Sequence, residues 1–104
     1  MTPLEKEFEA AMLDTYEQAK RFKYYPIYFL RMVQEHGGVG AAKRLLAAQS
    51  AQQGLFTLWE LGGLDFSMEA LLLQEKFQPL FSEAELAEAH QRLDKLGYFK
   101  TSKR

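Results

Sequence analysis

Apolar side chains recur at three- and four-residue steps through most of this 104-residue chain, and no segment shows the strict alternation of a half-buried strand. The first such repeat runs from Leu4 to Phe22, which predicts an amphipathic helix of about 20 residues and about 30 Å. A helix of that length spans a whole small domain. We therefore expect an all-α fold, a compact bundle of five to six helices, two of them short, in one domain over residues 1–104 with a frayed tail at residues 99–104.

The first helix has clear boundaries in the sequence. Residues 2–5, Thr-Pro-Leu-Glu, combine a capping hydroxyl, a proline at the first helical position and a glutamate that can reach back. The helix should therefore begin at Pro3. Pro26 lacks a backbone N–H and disfavours helical geometry in the residue before it, so the helix should stop by about Tyr24.

Glycines and a polar stretch divide the middle of the chain. The second helix should bury Ile27 and His36 on its apolar side and end at Gly37-Gly38, because glycine accepts a positive φ without penalty. A third helix is expected over about residues 39–48. Residues 49–54 are polar, small and aperiodic, and we expect a loop there.

The last third of the chain should form three more helices. Residues 55–61 predict a short helix with Trp59 packed in the core, and Ser67 should cap another short helix. A second capping box at residues 82–85 opens the last helix, which should end at Gly97.

Charge is unevenly distributed along the chain, although the net charge is only −1. Between Lys20 and Arg44 there are six cations and one carboxylate, and between Glu60 and Asp94 there are eight carboxylates and two cations. The absence of cysteine excludes disulfides and thiolate metal ligands. The apolar runs are far shorter than the ~20 residues of a membrane span. We expect a cytoplasmic protein with no membrane contact.

Groups that could support catalysis are few. His36 should serve in packing or in capping its helix end. His90 has Asp94 one turn later, but the Glu-x-x-His arrangement of carboxylate metal sites is missing, so a surface ion pair is expected. Ser67 and Ser82 lie in no nucleophile elbow. The sequence predicts no catalytic residue, no metal site and no cofactor.

Cations and aromatic rings alternate around the end of the first helix, as they do on nucleic-acid-binding surfaces. The alternative is a solvated helix end with half-buried rings. The glycines at residues 37–40, with a lysine one turn on, either hold a phosphate or only form a tight turn. Trp59 is either a core anchor or an interface residue. The candidate contacts to nucleic acid or an anion are Lys20, Arg21, Lys23, Tyr24, Arg31, Lys43 and Arg44.

Three segments carry a combined pattern: Gly-Gly-Val-Gly-Ala-Ala-Lys at residues 37–43, Leu-Trp-Glu at 58–60 and Leu-Asp-Phe-Ser-Met-Glu-Ala-Leu at 64–71. The pattern resembles an uncharacterised bacterial domain found alone or appended to restriction-type or HNH-type nucleases and other defence proteins. The resemblance covers roughly residues 8–98 and brings no assigned activity, cofactor or catalytic residue. Where that family commonly has Gly-Arg-Leu-Asp, this chain has Gly-Gly-Leu-Asp at residues 62–65, so that arginine is missing.

These features favour a non-catalytic accessory or interaction module that binds a protein partner or itself. The resemblance implies a bacterial DNA-related or defence setting, which is an association and places no nucleic acid on this domain. The alternative is direct nucleic-acid binding through the basic segment at residues 20–44. A small-molecule hydrolase is the least favoured class.

Overall fold

Five α-helices and two 3-10 turns make up the fold, which the computed structural model describes over residues 1–49 and 52–99. They form a compact all-α bundle with no strand in those two ranges, as the sequence predicts. No helix of the described chain has both the length and the apolar composition that crossing a bilayer requires. The helices are α1 (Pro3–Arg21), α2 (Ile27–Ala47), α3 (Gln52–Glu60), α4 (Met68–Leu72) and α5 (Glu83–Lys95), and the 3-10 turns are Leu64–Phe66 and Glu75–Leu80.

Both predicted capping boxes are present. At the start of α1, the Thr2 N–H donates to Glu5 Oε1 at 2.7 Å and the Glu5 N–H donates to Thr2 Oγ1 at 3.1 Å. At the start of α5, Ser82 and Glu85 make the same two contacts at 2.8 and 3.1 Å. Each pair satisfies two backbone N–H donors that the first turn would otherwise leave without acceptors. The local sequence alone therefore sets where these two helices begin.

Helix α1 ends for a different reason from the one that the sequence predicts. The helix ends at Arg21, and the residue that turns the chain is Lys23, with a φ of 61°. The backbone N–H groups of Lys23 and Tyr24 donate to carbonyls of the last helical turn at 2.9 and 3.1 Å. This is the hydrogen-bond pattern that usually places glycine in the left-handed position. The helix therefore stops before Pro26 has any effect on it.

A break at Gly37 divides α2 into two segments, residues 27–36 and 38–47, as the glycine pair predicts. Gly37 has a φ of 76°, which favours glycine. The Gly38 N–H donates to Glu9 Oε1 at 3.0 Å, and a Cβ on Gly38 would lie 2.6 Å from the Glu9 Cα atom. Helices α1 and α2 therefore cross in direct backbone contact at this point.

Phe8 on α1 lies at the centre of the hydrophobic core. It is fully buried, and its ring meets those of Phe77 and Phe81 edge to face, with centroids 5.1 and 5.2 Å apart. Met12 and Leu72 are also fully buried beside it. The core therefore joins α1 to α2, to α4 and to the second 3-10 turn.

Two residues predicted to be buried on α2 are exposed. Ile27 is 50% exposed, and His36 also faces solvent. Both lie at the ends of the first segment of α2, and the core covers only its middle, at Met32 and Val33. The spacing of the apolar residues identifies the face of α2 that turns to the core. It does not indicate over what length of the helix neighbouring elements cover that face.

The predicted loop at residues 49–54 is wrong at its second half, because α3 already begins at Gln52. Glutamine is a good helix former, and the Thr57 hydroxyl donates to the Gln53 carbonyl within the helix at 3.0 Å. Burial of Leu55 then stabilises the first turn. Residues 50–51 lie outside the described chain.

Gly97 ends α5 as predicted, with a φ of 76°. Its N–H and that of Tyr98 donate back to carbonyls of the last turn at 3.0 and 3.1 Å. Phe99, the first residue of the predicted tail, stacks its ring on His90 with centroids 4.3 Å apart. The remaining tail, residues 100–104, lies outside the described chain.

The Gly38→Ala variant should lose about 2–3 kcal/mol of unfolding free energy, because its Cβ would meet the Glu9 backbone and force α1 and α2 apart. The matched control is Gly40→Ala in the same segment, where the nearest atom is His36 Cβ at 3.3 Å. The gain in helix propensity should keep that variant within about 0.5 kcal/mol of wild type. Urea denaturation followed by circular dichroism measures both. Equal midpoints for the two variants would contradict the close crossing.

Candidate functional site

The predicted basic contacts fall into two groups with different surroundings. At the end of α1, Lys20 pairs with Glu17 at 3.0 Å, and this hydrogen bond raises the pKa of Lys20. Lys43 on α2 instead pairs with Glu85 on α5 at 2.8 Å, and its ammonium lies over the Phe81 ring. Hydrogen bonding to Lys43 and to the Ser82 backbone outweighs desolvation and lowers the pKa of Glu85. Lys43 is therefore already neutralised within the fold.

The two groups lie at opposite ends of α1. Phe81, which carries Lys43 over its ring, packs against Phe8 near the start of α1. Lys20 lies about 18 Å further along the helix axis, from the rise per residue of an α-helix. Arg44 is exposed next to Lys43. The segment that is contiguous in sequence is thus not one contiguous surface in the fold.

A corner between α1 and α2 keeps cations and aromatic rings together at the surface. Tyr25 is 57% exposed and Tyr28 is 62% exposed. Arg31 is exposed one turn after Tyr28, on the same side of α2. Arg21 and Lys23 are exposed at the end of α1. We call these five residues the α1–α2 corner.

The helix start at the glycines of residues 37–40, the candidate phosphate site, is capped by a side chain of α1. The Glu9 carboxylate on α1 accepts a hydrogen bond from the Gly38 N–H at the start of the second segment of α2. A carboxylate therefore already occupies the helix end that an anion would use. Of the two interpretations left open by the sequence, the arrangement favours the tight turn.

Neither histidine lies in a constellation typical of catalysis. His36 lies beside the neighbouring Glu35 at 3.9 Å. His90 stacks on Phe99 and forms no ion pair with Asp94, in contrast to the prediction. Within residues 1–49 and 52–99, no three His, Asp or Glu side chains lie close enough together to hold a metal ion.

Trp59 is 44% exposed, so the prediction that it anchors the core is wrong. Its ring lies beside that of Phe56, with centroids 5.3 Å apart, and Phe56 is 41% exposed. Leu55 and Leu58, which each lie one residue earlier and so about 100° around α3, are the residues that face the bundle. We call the outward pair, Phe56 and Trp59, the α3 aromatic face.

Two surface pockets adjoin this face and share Leu96, and we call them together the groove. Phe56 lines the first pocket and Trp59 lines the second. Lys95 lines the groove at the Phe56 end, whereas Asp65 lines it at the Trp59 end. Glu60 is exposed next to Trp59. The groove is therefore basic at one end and acidic at the other.

Tyr98 and Asp65 fix the acidic end of the groove. The Tyr98 hydroxyl donates to Asp65 Oδ1 at 2.7 Å. Desolvation, followed by this hydrogen bond, raises the pKa of Tyr98 to about 12. The turn after α5 is thereby tied to the first 3-10 turn, and the two sides of the groove hold a defined separation.

A buried arginine that was not predicted from the sequence joins three helices. Arg92 on α5 is 3% exposed. Its Nε donates to Glu88 Oε2 at 2.7 Å, and a terminal nitrogen donates to Glu69 Oε2 at 3.2 Å. The terminal nitrogens also donate to backbone carbonyls at the end of α2, at 2.8–3.4 Å. These carbonyls belong to Leu45, Leu46 and Ala48.

The sequence does contain a signal for this cluster. Arg92 lies between Ala89 and Leu93 on the apolar stripe of α5, and Glu88 precedes it by one turn. A charged residue on an apolar stripe is rarely buried unless it is paired. Glu69 likewise follows the buried Met68. The position of Arg92 on the apolar stripe, rather than its residue type, is what indicates that it is buried.

Glu69 is buried with an unequal balance of charge around it. Desolvation raises the pKa of Glu69 above its ordinary value of 4.5, because it outweighs the hydrogen bonds from its own backbone N–H and from Arg92. Glu88 adds a second carboxylate beside the same guanidinium. Two acidic groups therefore share one cation.

A cavity of about 240 Å³ lies between the second half of α1, the start of α2 and α3. Small residues leave this space open, since Ala19 lines it from α1 and Gly54 from α3. A Cβ on Gly54 would approach the Tyr24 hydroxyl to 3.1 Å, and burial raises the pKa of that hydroxyl. Glu69 is one of the few polar side chains on an otherwise mainly apolar lining.

No protein-family model, curated protein or solved structure matches the chain. Its function is therefore argued from the geometry of the α3 aromatic face, the α1–α2 corner and the cavity beside Glu69.

The Glu69→Gln variant should change the pH dependence of stability. Because the pKa of Glu69 is raised in the folded state, the folded protein holds a proton at pH values where the unfolded chain has lost it. The contribution of Glu69 to stability therefore falls as the pH rises from about 4.5 through its folded pKa. The unfolding free energy of wild type minus that of Glu69→Gln should decrease over this range in urea titrations.

The Glu75→Gln variant is the control, because it removes an exposed carboxylate that is not part of this buried cluster. The groups that face Glu69 are Arg92 and Glu88 from α5 and the Tyr24 hydroxyl across the cavity. A wild-type advantage over Glu69→Gln that grows with pH would show that the pKa of Glu69 is lowered by folding instead.

Proposed function

We propose that this chain is a helical interaction module that associates with a second copy of itself through the α3 aromatic face. The observation that carries the proposal is the pair of exposed rings, Phe56 and Trp59, at 5.3 Å from each other. Single exposed apolar residues are ordinary, but paired aromatics that include tryptophan are typical of interface anchors. Leu96 in the adjoining groove extends the apolar surface.

The distribution of charge favours a second copy as the partner. Lys95 lies at the Phe56 end of the groove, and Glu60 and Asp65 lie at the Trp59 end. If two copies pack their α3 helices antiparallel about a two-fold axis, the basic end of one meets the acidic end of the other. The net charge of −1 offers little repulsion between copies.

An interface of standard size would take up a modest part of the surface of this chain. A standard interface buries about 800 Å² on each partner, which is about an eighth of the 6238 Å² surface of this chain. The two rings alone are too small, so Leu61 and Phe99, each 41% exposed, are expected to contribute at the rim. The resemblance to domains that accompany nucleases is the reason to place this module in a bacterial DNA-related or defence setting.

Association should be visible in the emission of Trp59, which is the only tryptophan in the chain. We expect wild type to form dimers in sedimentation velocity as its concentration rises over roughly 1–500 μM, with a blue shift of the emission as the indole leaves water. Phe56→Glu should stay monomeric with unshifted emission. Leu13→Glu, on the exposed side of α1, is the matched control and should behave like wild type.

A charge exchange tests the antiparallel arrangement. Lys95→Glu and Glu60→Lys should each weaken association, and the double variant should restore it, because both contacts of the dimer are then reversed together. A wild-type chain that stays monomeric at the highest concentration, or Phe56→Glu association equal to wild type, would refute the proposal.

Direct nucleic-acid binding is the second candidate, and the exposed rings of the α1–α2 corner favour it. Tyr25 and Tyr28 offer faces on which unpaired bases can stack, and Arg31 is placed for a phosphate. Tyr24 does not belong to this surface, because its side chain is half-buried, whereas those of Tyr25 and Tyr28 are exposed. Lys43 lies at the other end of α1, so the candidate is narrower than the whole segment at residues 20–44.

If this corner binds nucleic acid, a fluorescent single-stranded oligonucleotide should bind at about 50 mM salt, with an affinity that falls steeply as salt increases. Arg21→Glu combined with Arg31→Glu should abolish the binding. Arg44→Glu, which lies far from the corner at the other end of residues 20–44, should leave oligonucleotide binding nearly unchanged. An unchanged anisotropy of the oligonucleotide with wild type at low salt would rule out this function.

A further inference from the structure

The cavity between α1 and α3 combines an apolar lining with a buried carboxyl group. We propose that it binds a small hydrophobic ammonium ion, with the cationic nitrogen at the Glu69 carboxylate and the apolar part against the aromatic and aliphatic walls. Such a site is distinct from the α3 aromatic face, because neither Phe56 nor Trp59 lines the cavity. It adds a ligand to a chain whose proposed partner is a second copy.

The size of the cavity sets the size of the ligand. A dry apolar cavity of about 150 Å³ accommodates a benzene molecule. In proportion, a cavity of about 240 Å³ accommodates roughly ten non-hydrogen atoms. A phenyl ring with a two-carbon arm and a terminal amine has this size. A nucleotide or a long acyl chain is too large.

Hydrogen-bonding capacity at Glu69 favours a donor. The Arg92 guanidinium gives Glu69 one hydrogen bond, at 3.2 Å, and its other N–H groups are used by Glu88 and by carbonyls at the end of α2. A carboxylate can accept about four hydrogen bonds, so Glu69 can accept more than it receives from Arg92. An ammonium group brings three donors and no acceptor.

Charge favours a cation over a neutral or anionic ligand. Glu69 and Glu88 share one guanidinium, so a bound cation would complete the balance of charge in the cluster. An anion would instead approach the Glu69 carboxylate across a medium of low dielectric constant. The pKa of Glu69, raised by burial, should fall when a cation binds beside it.

The walls have the chemistry of a site for organic cations. Tyr24, Tyr28 and Phe29 line the cavity, and the face of an aromatic ring attracts a cation. Leu55 and Leu58 on α3 supply the apolar surface opposite. Tyr28 is 62% exposed, so the cavity reaches solvent on that side, and a ligand can enter without unfolding α3.

The test compares three probes of nearly equal shape: 2-phenylethylamine, which is a cation at neutral pH, 2-phenylethanol, which is neutral, and phenylacetate, which is an anion. Titration of the full chain should be followed by isothermal calorimetry and by methyl chemical shifts of Leu58. We expect saturable binding of the amine, weaker binding of the alcohol by about tenfold or more, and none of phenylacetate. The amine should also raise the melting temperature.

Two variants assign the binding to this cavity. Glu69→Gln should lose about tenfold or more in amine affinity while its weak affinity for the alcohol stays the same, and Glu75→Gln, away from the cavity, should match wild type. Ala19→Leu fills the cavity from α1 and leaves the carboxylate in place, so it should lose binding of both probes. Circular dichroism confirms that each variant is folded.

Three results would overturn the proposal. Equal affinity for amine and alcohol would mean that the carboxylate takes no part. Saturation by none of the probes would mean that the cavity is no ligand site. Amine binding that Ala19→Leu leaves unchanged would place the ligand elsewhere. None of these results decides whether the chain dimerises, which the variants at Phe56 and Lys95 test separately.

Discussion

The guanidinium of Arg92 is the contact on which the arrangement of the helices depends. All five of its N–H groups have acceptors, two on carboxylates and three on carbonyls at the end of α2, so the cost of burying a cation is offset. The last turn of a helix carries carbonyl groups that have no donor inside the helix. At the end of α2, the Arg92 guanidinium supplies these donors. The ends of α2, α4 and α5 are thereby held in one orientation beside a core centred on Phe8.

α3 is held differently, and both candidate sites on it follow from that difference. It packs chiefly against the 3-10 turn Leu64–Phe66, and only Leu55 and Leu58 are buried along its length. Toward α1, the small residue Ala19 leaves a cavity open. Toward solvent, no helix of the described chain covers the α3 aromatic face. A helix packed firmly on one side only thus presents an internal site and an external surface at once.

Features of the fold that depend on residues close in sequence can be predicted from the sequence. Features that depend on contacts between distant parts of the chain cannot. The capping residues Thr2 and Ser82 and the break at Gly37 depend on neighbours within a few residues, so the sequence specifies them directly. The large apolar ring of Trp59 predicts a place in the core, but its burial depends on whether another helix reaches it. Arg92 was overlooked for the converse reason, since a charged residue is ordinarily exposed and its acceptors come from a helix distant in sequence.

Because α3 forms one wall of the cavity and carries the α3 aromatic face, the two proposed binding events are expected to be linked. Leu58 faces the cavity, and Trp59, the next residue, faces the proposed partner. A ligand that fills the cavity restricts the position of α3 and so reduces the ordering cost of association. Linkage is reciprocal, so the dimer would bind the ammonium ligand more tightly by the same factor as the ligand strengthens the dimer. The link runs through a single helix, and it requires no change in the helices that Arg92 holds.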